Sequence, residues 1–113
     1  MPRLIARSVA FALAALLAAP SFAQQGSSDG IAGSLGAAMA VAAMCGRSTA
    51  PVEAELERYI KKVGAGPLEA DRLRKVMLRD GDYYRRVVGG SFDCRKADEG
   101  IAGTIANVRA ATR

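Results

Sequence analysis

The chain has 113 residues, with 16 basic side chains, 11 acidic side chains, a net charge of +5 and no histidine. The absence of histidine removes the most common general base, the usual catalytic triad and most zinc sites. The spacings of nucleophile elbows, zinc proteases and P-loops do not occur either. We therefore expect one small non-enzymatic domain without a metal or cofactor, and keep a small enzyme as the last alternative.

The first 23 residues have the three-part pattern of a cleaved signal peptide. Arg3 and Arg7 precede an apolar run of about a dozen residues, which Pro20 ends. The run is too short to span a membrane, which needs roughly 20 apolar residues. We expect residues 1–23 to be removed after Ala23, giving a periplasmic or secreted protein without a transmembrane anchor.

The mature part, residues 24–113, has a net charge of +3 and contains Cys45 and Cys94. In an oxidising compartment two cysteines of one small domain usually pair. Such a bond closes a loop of about 50 residues. In the chain-entropy model, this closure stabilises the folded protein by roughly 4 kcal/mol. A redox-active or metal-binding pair is the disfavoured alternative, because there is no CxxC spacing.

A polar, glycine- and serine-rich segment, residues 24–30, is predicted to be a disordered leader, and the helical domain is predicted to span residues 31–112. The first helix carries a narrow apolar stripe that runs from Ile31 to Cys45 in steps of three and four. Such steps are typical of one face of a helix. Asp29 is the candidate N-cap of this helix.

Three glycines bear on the first helix. Gly46 is expected to stop it. Gly33 and Gly36 lower helix propensity by roughly 1 kcal/mol each relative to alanine. They either fray the first turn or allow a neighbouring helix to approach closely, and the sequence favours the two equally.

The second helix is predicted to begin with Thr49 as cap and Pro51 in the first turn, and to end at Gly64. Glu53 and Glu55 lie near the positive end of its dipole. Its predicted apolar face consists of Val52, Leu56, Tyr59, Ile60 and Val63.

The third helical pattern restarts at Pro67. Its predicted inward residues are Leu68, Leu73, Val76 and Met77. We interpret residues 80–82, Asp-Gly-Asp, as a break after which Asp82 caps a short helix ending at Val88. A single bent helix over residues 68–88 is the alternative.

The last helix is predicted to follow a turn at residues 89–90, with Ser91 as its cap. Its apolar seam consists of Cys94, Ala97, Ile101, Ile105 and Val108. Cys45 thus ends the seam of the first helix and Cys94 opens the seam of the last. The pattern predicts an all-α, disulfide-closed bundle of four to five helices.

One cluster of basic and aromatic residues suggests a binding surface. The candidate residues are Arg72, Lys75, Arg79, Tyr83, Tyr84, Arg85 and Arg86. Tyrosine and arginine are enriched at protein interfaces. The alternative is a solvated helix face, because acidic residues are interspersed in the same segment.

We therefore expect a binding or accessory protein of the cell envelope whose partner is an envelope protein or an anionic envelope component. Nucleic acid is disfavoured by the exported location and the modest charge. In its signal, its length and the separation of Cys45 and Cys94, the chain resembles the small periplasmic acid-stress chaperones. That resemblance is one of layout alone, and it implies a stress chaperone as the alternative function.

Overall fold

The structure, a computed structural model, describes residues 27–112, and these residues are all-α. The predicted signal peptide and residues 24–26 of the predicted leader lie outside the described residues. The helices are α1 (Ser28–Met44), α2 (Ala50–Val63), α3 (Pro67–Val88) and α4 (Ala97–Ala111), with short 3-10 turns at Gly89–Ser91 and Cys94–Lys96. The predicted fold class is confirmed.

The start of α1 differs from the prediction. Ser27 is the N-cap, and its side chain accepts a hydrogen bond of 3.1 Å from the Gly30 amide, so Asp29 is not the cap. The Ser28 and Tyr59 hydroxyls lie 2.8 Å apart, which attaches the first turn of α1 to α2. The cap and this contact stabilise the first turn, and the last three residues of the predicted leader are helical.

Successive helices alternate in direction. The contact between Ser28 and Tyr59 joins the start of α1 to the C-terminal part of α2, so these helices are antiparallel. Asp29 near the start of α1 pairs with Arg72 near the start of α3. Arg47, just before α2, pairs with Asp98 near the start of α4. The described chain is thus an up-down-up-down bundle, with α1 in contact with all three other helices.

The closest approach in the bundle is that of α1 to α3, and it depends on two glycines. A Cβ atom at Gly81 would lie 2.8 Å from the Gly36 carbonyl oxygen, and one at Gly36 would lie 2.9 Å from the Gly81 nitrogen. Gly81 is buried in the C-terminal half of α3, which runs without interruption from Pro67 to Val88. The predicted break at residues 80–82 is therefore wrong and the single-helix alternative is right, because this glycine serves the helix crossing. The same geometry shows that Gly36 allows the close approach of a neighbouring helix, which was one of the two alternatives for this glycine.

Two apolar residues predicted to face inward do not. Leu68 is 89% exposed and Val63 is 49% exposed. Leu68 lies in the first turn of α3, on the side away from Leu73 and Met77, and Val63 is the last residue of α2. Helix ends lie at the edge of the core. An apolar residue whose spacing matches the buried face of the helix can therefore still be exposed to solvent there.

The segment before α4 is also corrected. Ser91 does not cap the last helix, since its hydroxyl donates to the Val88 carbonyl oxygen at the end of α3. Asp93 instead caps the second 3-10 turn by accepting from the Arg95 amide. Thr49 occupies the predicted N-cap position of α2, but its hydroxyl donates to Glu53 rather than accepting from the backbone.

The disulfide between Cys45 and Cys94 is confirmed, with the two Cα atoms 5.5 Å apart across 49 residues of sequence. It joins the C-cap of α1 to the turn that precedes α4. Beyond it, Ala97 and Val108 are buried, and Ile101 and Ile105 pack partly buried against the core. None of the helices in residues 27–112 is both long and apolar enough to cross a membrane.

Candidate binding surface on α3

Five of the seven candidate residues lie on one face of α3. Together with Leu68 they follow steps of four, three, four, four and three, which place side chains on the same side of a helix. We call this set the outer α3 face: Leu68, Arg72, Lys75, Arg79, Tyr83 and Arg86. All six are exposed, and they extend over almost the whole length of the helix.

The other two candidates point elsewhere. Tyr84 is partly buried and stands seven residues after Met77, on the side of α3 that faces the core. Arg85 is exposed and stands seven residues after Leu78, on a lateral side of the helix. The structure therefore brings together the outer α3 face, and separates Tyr84 and Arg85 from it.

Large apolar side chains are exposed mainly on α3. Among the described residues they are Val63, Leu68, Leu78, Tyr83 and Val87. Of these, Leu68 and Tyr83 belong to the outer α3 face, and Val87 stands four residues after Tyr83, which makes the two neighbours on the helix surface. The apolar pattern of α3 predicts Leu68 in the core, but Leu68 is a surface residue. Its position four residues before Arg72 is the signal that links it to the basic cluster.

The basic residues of the outer α3 face are all paired with carboxylates of the chain. The pairs are Arg72 with Asp29 and Glu69, Lys75 with Asp71, Arg79 with Asp80, and Arg86 with Asp82, at 2.6 to 3.2 Å. The acids flank the outer α3 face rather than lying on it. Exposed pairs of this kind contribute little to stability. They do, however, reduce the net positive field that the surface presents.

Arg72 has the richest pairing of these residues, because it bridges α1 and α3. Its guanidinium donates to both oxygens of Asp29 and both oxygens of Glu69. These hydrogen bonds hold the pKa of Asp29 and the pKa of Glu69 below their usual values. They also raise the pKa of Arg72, through Glu69 first and Asp29 second. Arg72 therefore joins α1 to α3 at the N-terminal end of the outer α3 face.

A buried polar network between α2 and α4 is the feature that the sequence analysis missed. Glu55 is only 2% exposed. Its Oε2 accepts from Arg58 Nε at 2.6 Å, and its Oε1 accepts from Arg109 Nε at 2.9 Å. Arg58 in turn donates to the Thr112 hydroxyl at 2.6 Å. Both carboxylate oxygens are thus satisfied, as a buried charge requires.

The sequence carried a signal for this burial. Glu55 stands three residues after Val52 and four before Tyr59, both of which are buried. It therefore falls on the apolar face of α2, where a charged residue needs partners. The arginine on α4 lies 54 residues away in sequence, so local patterns do not identify it.

No group of three or more acidic or cysteine side chains within residues 27–112 is placed to hold a metal ion. Comparison of the chain with protein-family models, with curated proteins and with solved structures finds no match.

Proposed function

We propose that the protein is an exported, non-enzymatic binding or accessory protein of the cell envelope that acts through the outer α3 face. The observation that carries the proposal is the convergence of exposed apolar and basic residues on one helix side. Leu68 and Tyr83 are 89% and 64% exposed, and the basic residues Arg72, Lys75 and Arg79 lie between them on this face. Tyrosine and arginine beside exposed apolar residues are typical of the cores of protein interfaces.

The ion pairs of this face favour a protein partner over a polyanion. A polyanion would compete with the carboxylates that already neutralise Arg72, Lys75, Arg79 and Arg86. A protein surface can add apolar contacts to Leu68 and Tyr83 and leave those pairs in place at its rim. Binding should therefore depend weakly on salt, unlike the steep salt dependence of polyanion binding.

Export is supported by two observations. Residues 1–23 have the pattern of a signal peptide. The disulfide between Cys45 and Cys94 is typical of oxidising compartments. Both favour the periplasm or the exterior of the cell as the place of action.

Site-specific photo-cross-linking in the envelope of the producing cell tests the proposal. A photoreactive residue at Lys75 or Tyr83 should give a discrete cross-linked product. The matched control places it at Leu78 or Arg85, which are also exposed on α3 but on its lateral side. The product should be absent from the control positions. Equal products from both sides of the helix, or none from the outer α3 face, would contradict the proposal.

A stress chaperone is the second candidate, and α1 is the observation that favours it. This helix is apolar on nearly all sides, with eight of its 17 residues buried. A chaperone would expose part of that surface under stress and bind non-native chains. Suppression of client aggregation under acid or oxidative conditions would support this function, and its absence at excess protein would exclude it.

A further inference from the structure

The contacts that hold α4 differ from those of the other helices. Ala97 and Val108 are its only fully buried residues, and Ile101 and Ile105 pack partly buried against the core. The remaining members of the buried cluster belong to α1, α2 and α3. Local opening is favoured where little apolar surface is buried, and α4 contributes only Val108 to the buried cluster.

The helix is also weak by itself. Gly100 and Gly103 lie within it, and a Cβ atom at either would meet nothing within 4 Å. Unlike Gly36, these glycines serve no close contact among the described residues. They lower the helix propensity of a segment of only 15 residues, a length at which isolated helices are marginal. α4 therefore depends on its attachments to the neighbouring helices.

The two ends of α4 are attached by different chemistry. At its N-terminal end are the Cys45–Cys94 disulfide and an ion pair between Arg47 and Asp98, whose side chains are 42% and 77% exposed. Such an exposed pair holds little by itself. At its C-terminal end, Arg109 reaches the buried carboxylate of Glu55.

We propose that α4 is a redox-controlled cover, in which reduction of the Cys45–Cys94 disulfide releases the N-terminal half of α4 while the contact with Glu55 retains its C-terminal half. The release uncovers apolar surface of α1 that α4 packs against in the oxidised protein. This device is separate from the outer α3 face and would stand without it.

The reductant is a dithiol. One of its thiolates attacks a sulfur of the disulfide to form a mixed disulfide, and its second thiolate resolves that bond. Two electrons pass to the protein, Cys45 and Cys94 end as thiols, and the dithiol ends as a disulfide. Both cysteines are partly exposed, and their chain neighbours Gly46 and Arg95 are exposed.

Amide hydrogen exchange measured by mass spectrometry, before and after treatment with dithiothreitol, tests the cover. Residues 97–105 should lose protection at least tenfold on reduction, whereas the amides around the Gly36–Gly81 crossing should keep theirs. Residues 106–112 should be affected less than residues 97–105. Equal loss in all helices would show global unfolding and overturn the proposal, as would an unchanged α4.

Two sets of variants sharpen the test. Gly100→Ala with Gly103→Ala should restore protection of α4 in the reduced protein by about 25-fold, since each exposed replacement favours the helix about fivefold. The crossing of α1 and α3 should not change. Cys45→Ser with Cys94→Ser should reproduce the reduced pattern without a reductant. If that variant does not fold, the proposal fails, because it requires the other helices to persist without the disulfide.

Discussion

Replacement of Gly36 by alanine should destabilise the protein, although alanine is the better helix former. The new Cβ atom would meet the Met77 carbonyl group and would lie 2.9 Å from the Gly81 nitrogen. These are backbone atoms of α3 and cannot rotate away as a side chain can. The two helices must therefore separate along the most extensive contact of the bundle.

The magnitude follows from two opposed terms. Alanine gains about 1 kcal/mol in helix propensity over glycine. Overpacking of a core costs about 1 to 3 kcal/mol, and a clash with backbone belongs at or above the upper end of that range. The expected net loss at Gly36 is about 2 kcal/mol in the free energy of unfolding, or roughly 10 °C in Tm for a domain of this size.

Urea unfolding of the oxidised protein, followed by far-ultraviolet circular dichroism, measures this loss. Gly103→Ala is the matched control, because a Cβ atom there meets nothing. It should raise the free energy of unfolding by up to about 1 kcal/mol. If the two variants agree within about 0.5 kcal/mol, which is near the error of extrapolation, the close crossing of α1 and α3 is refuted.

Three further predictions concern the ion pairs and the signal. Glu55→Gln should lower the free energy of unfolding by about 2 kcal/mol, because a charge-assisted hydrogen bond of a buried carboxylate is lost. The control Glu57→Gln, at an exposed position, should lower it by less than about 1 kcal/mol. Equal losses would contradict the conclusion that burial makes the Glu55 hydrogen bonds stronger. Arg72 lowers the pKa of the Asp29 and Glu69 carboxylates in the folded state, so the folded protein binds fewer protons than the unfolded one and its stability falls as the pH drops below about 4. Arg72→Gln should make the urea midpoint less sensitive to pH in this range. An unchanged dependence of the midpoint on pH would refute the role of the bridge. N-terminal sequencing of the exported protein should begin at Gln24, and a product that retains the preceding residues would show that the signal is not cleaved after Ala23.

Much of the fold was predictable because its determinants are local. The spacing of apolar residues identified α2 and the seam of α4, and the positions of Cys45 and Cys94 on two seams predicted which helix ends meet. Helix ends and glycines were predicted less well. Asp-Gly-Asp at residues 80–82 resembles a break in sequence, but Gly81 lies in close contact with Gly36, which is 45 residues away. A local pattern does not contain that contact.

The candidate surface was predictable in part for the same reason. The basic and aromatic residues were identified by composition, but their assignment to one face needed a continuous α3. Once the helix is uninterrupted, Tyr84 turns toward the core and Leu68 joins the exposed row. The pairing of Arg72 with Asp29 depends on the parallel arrangement of α1 and α3, which no short segment specifies.

The central claim is that the outer α3 face binds an envelope protein. The most direct test measures how much of the partner identified by photo-cross-linking is captured by two double variants. The first variant is Tyr83→Ala/Arg86→Ala, and the second is Leu78→Ala/Arg85→Ala. Each double variant removes one large exposed side chain and one arginine from the same helix. The first variant should lose at least tenfold in captured partner, and the second should match the unaltered protein. Equal capture by the two variants would contradict the claim.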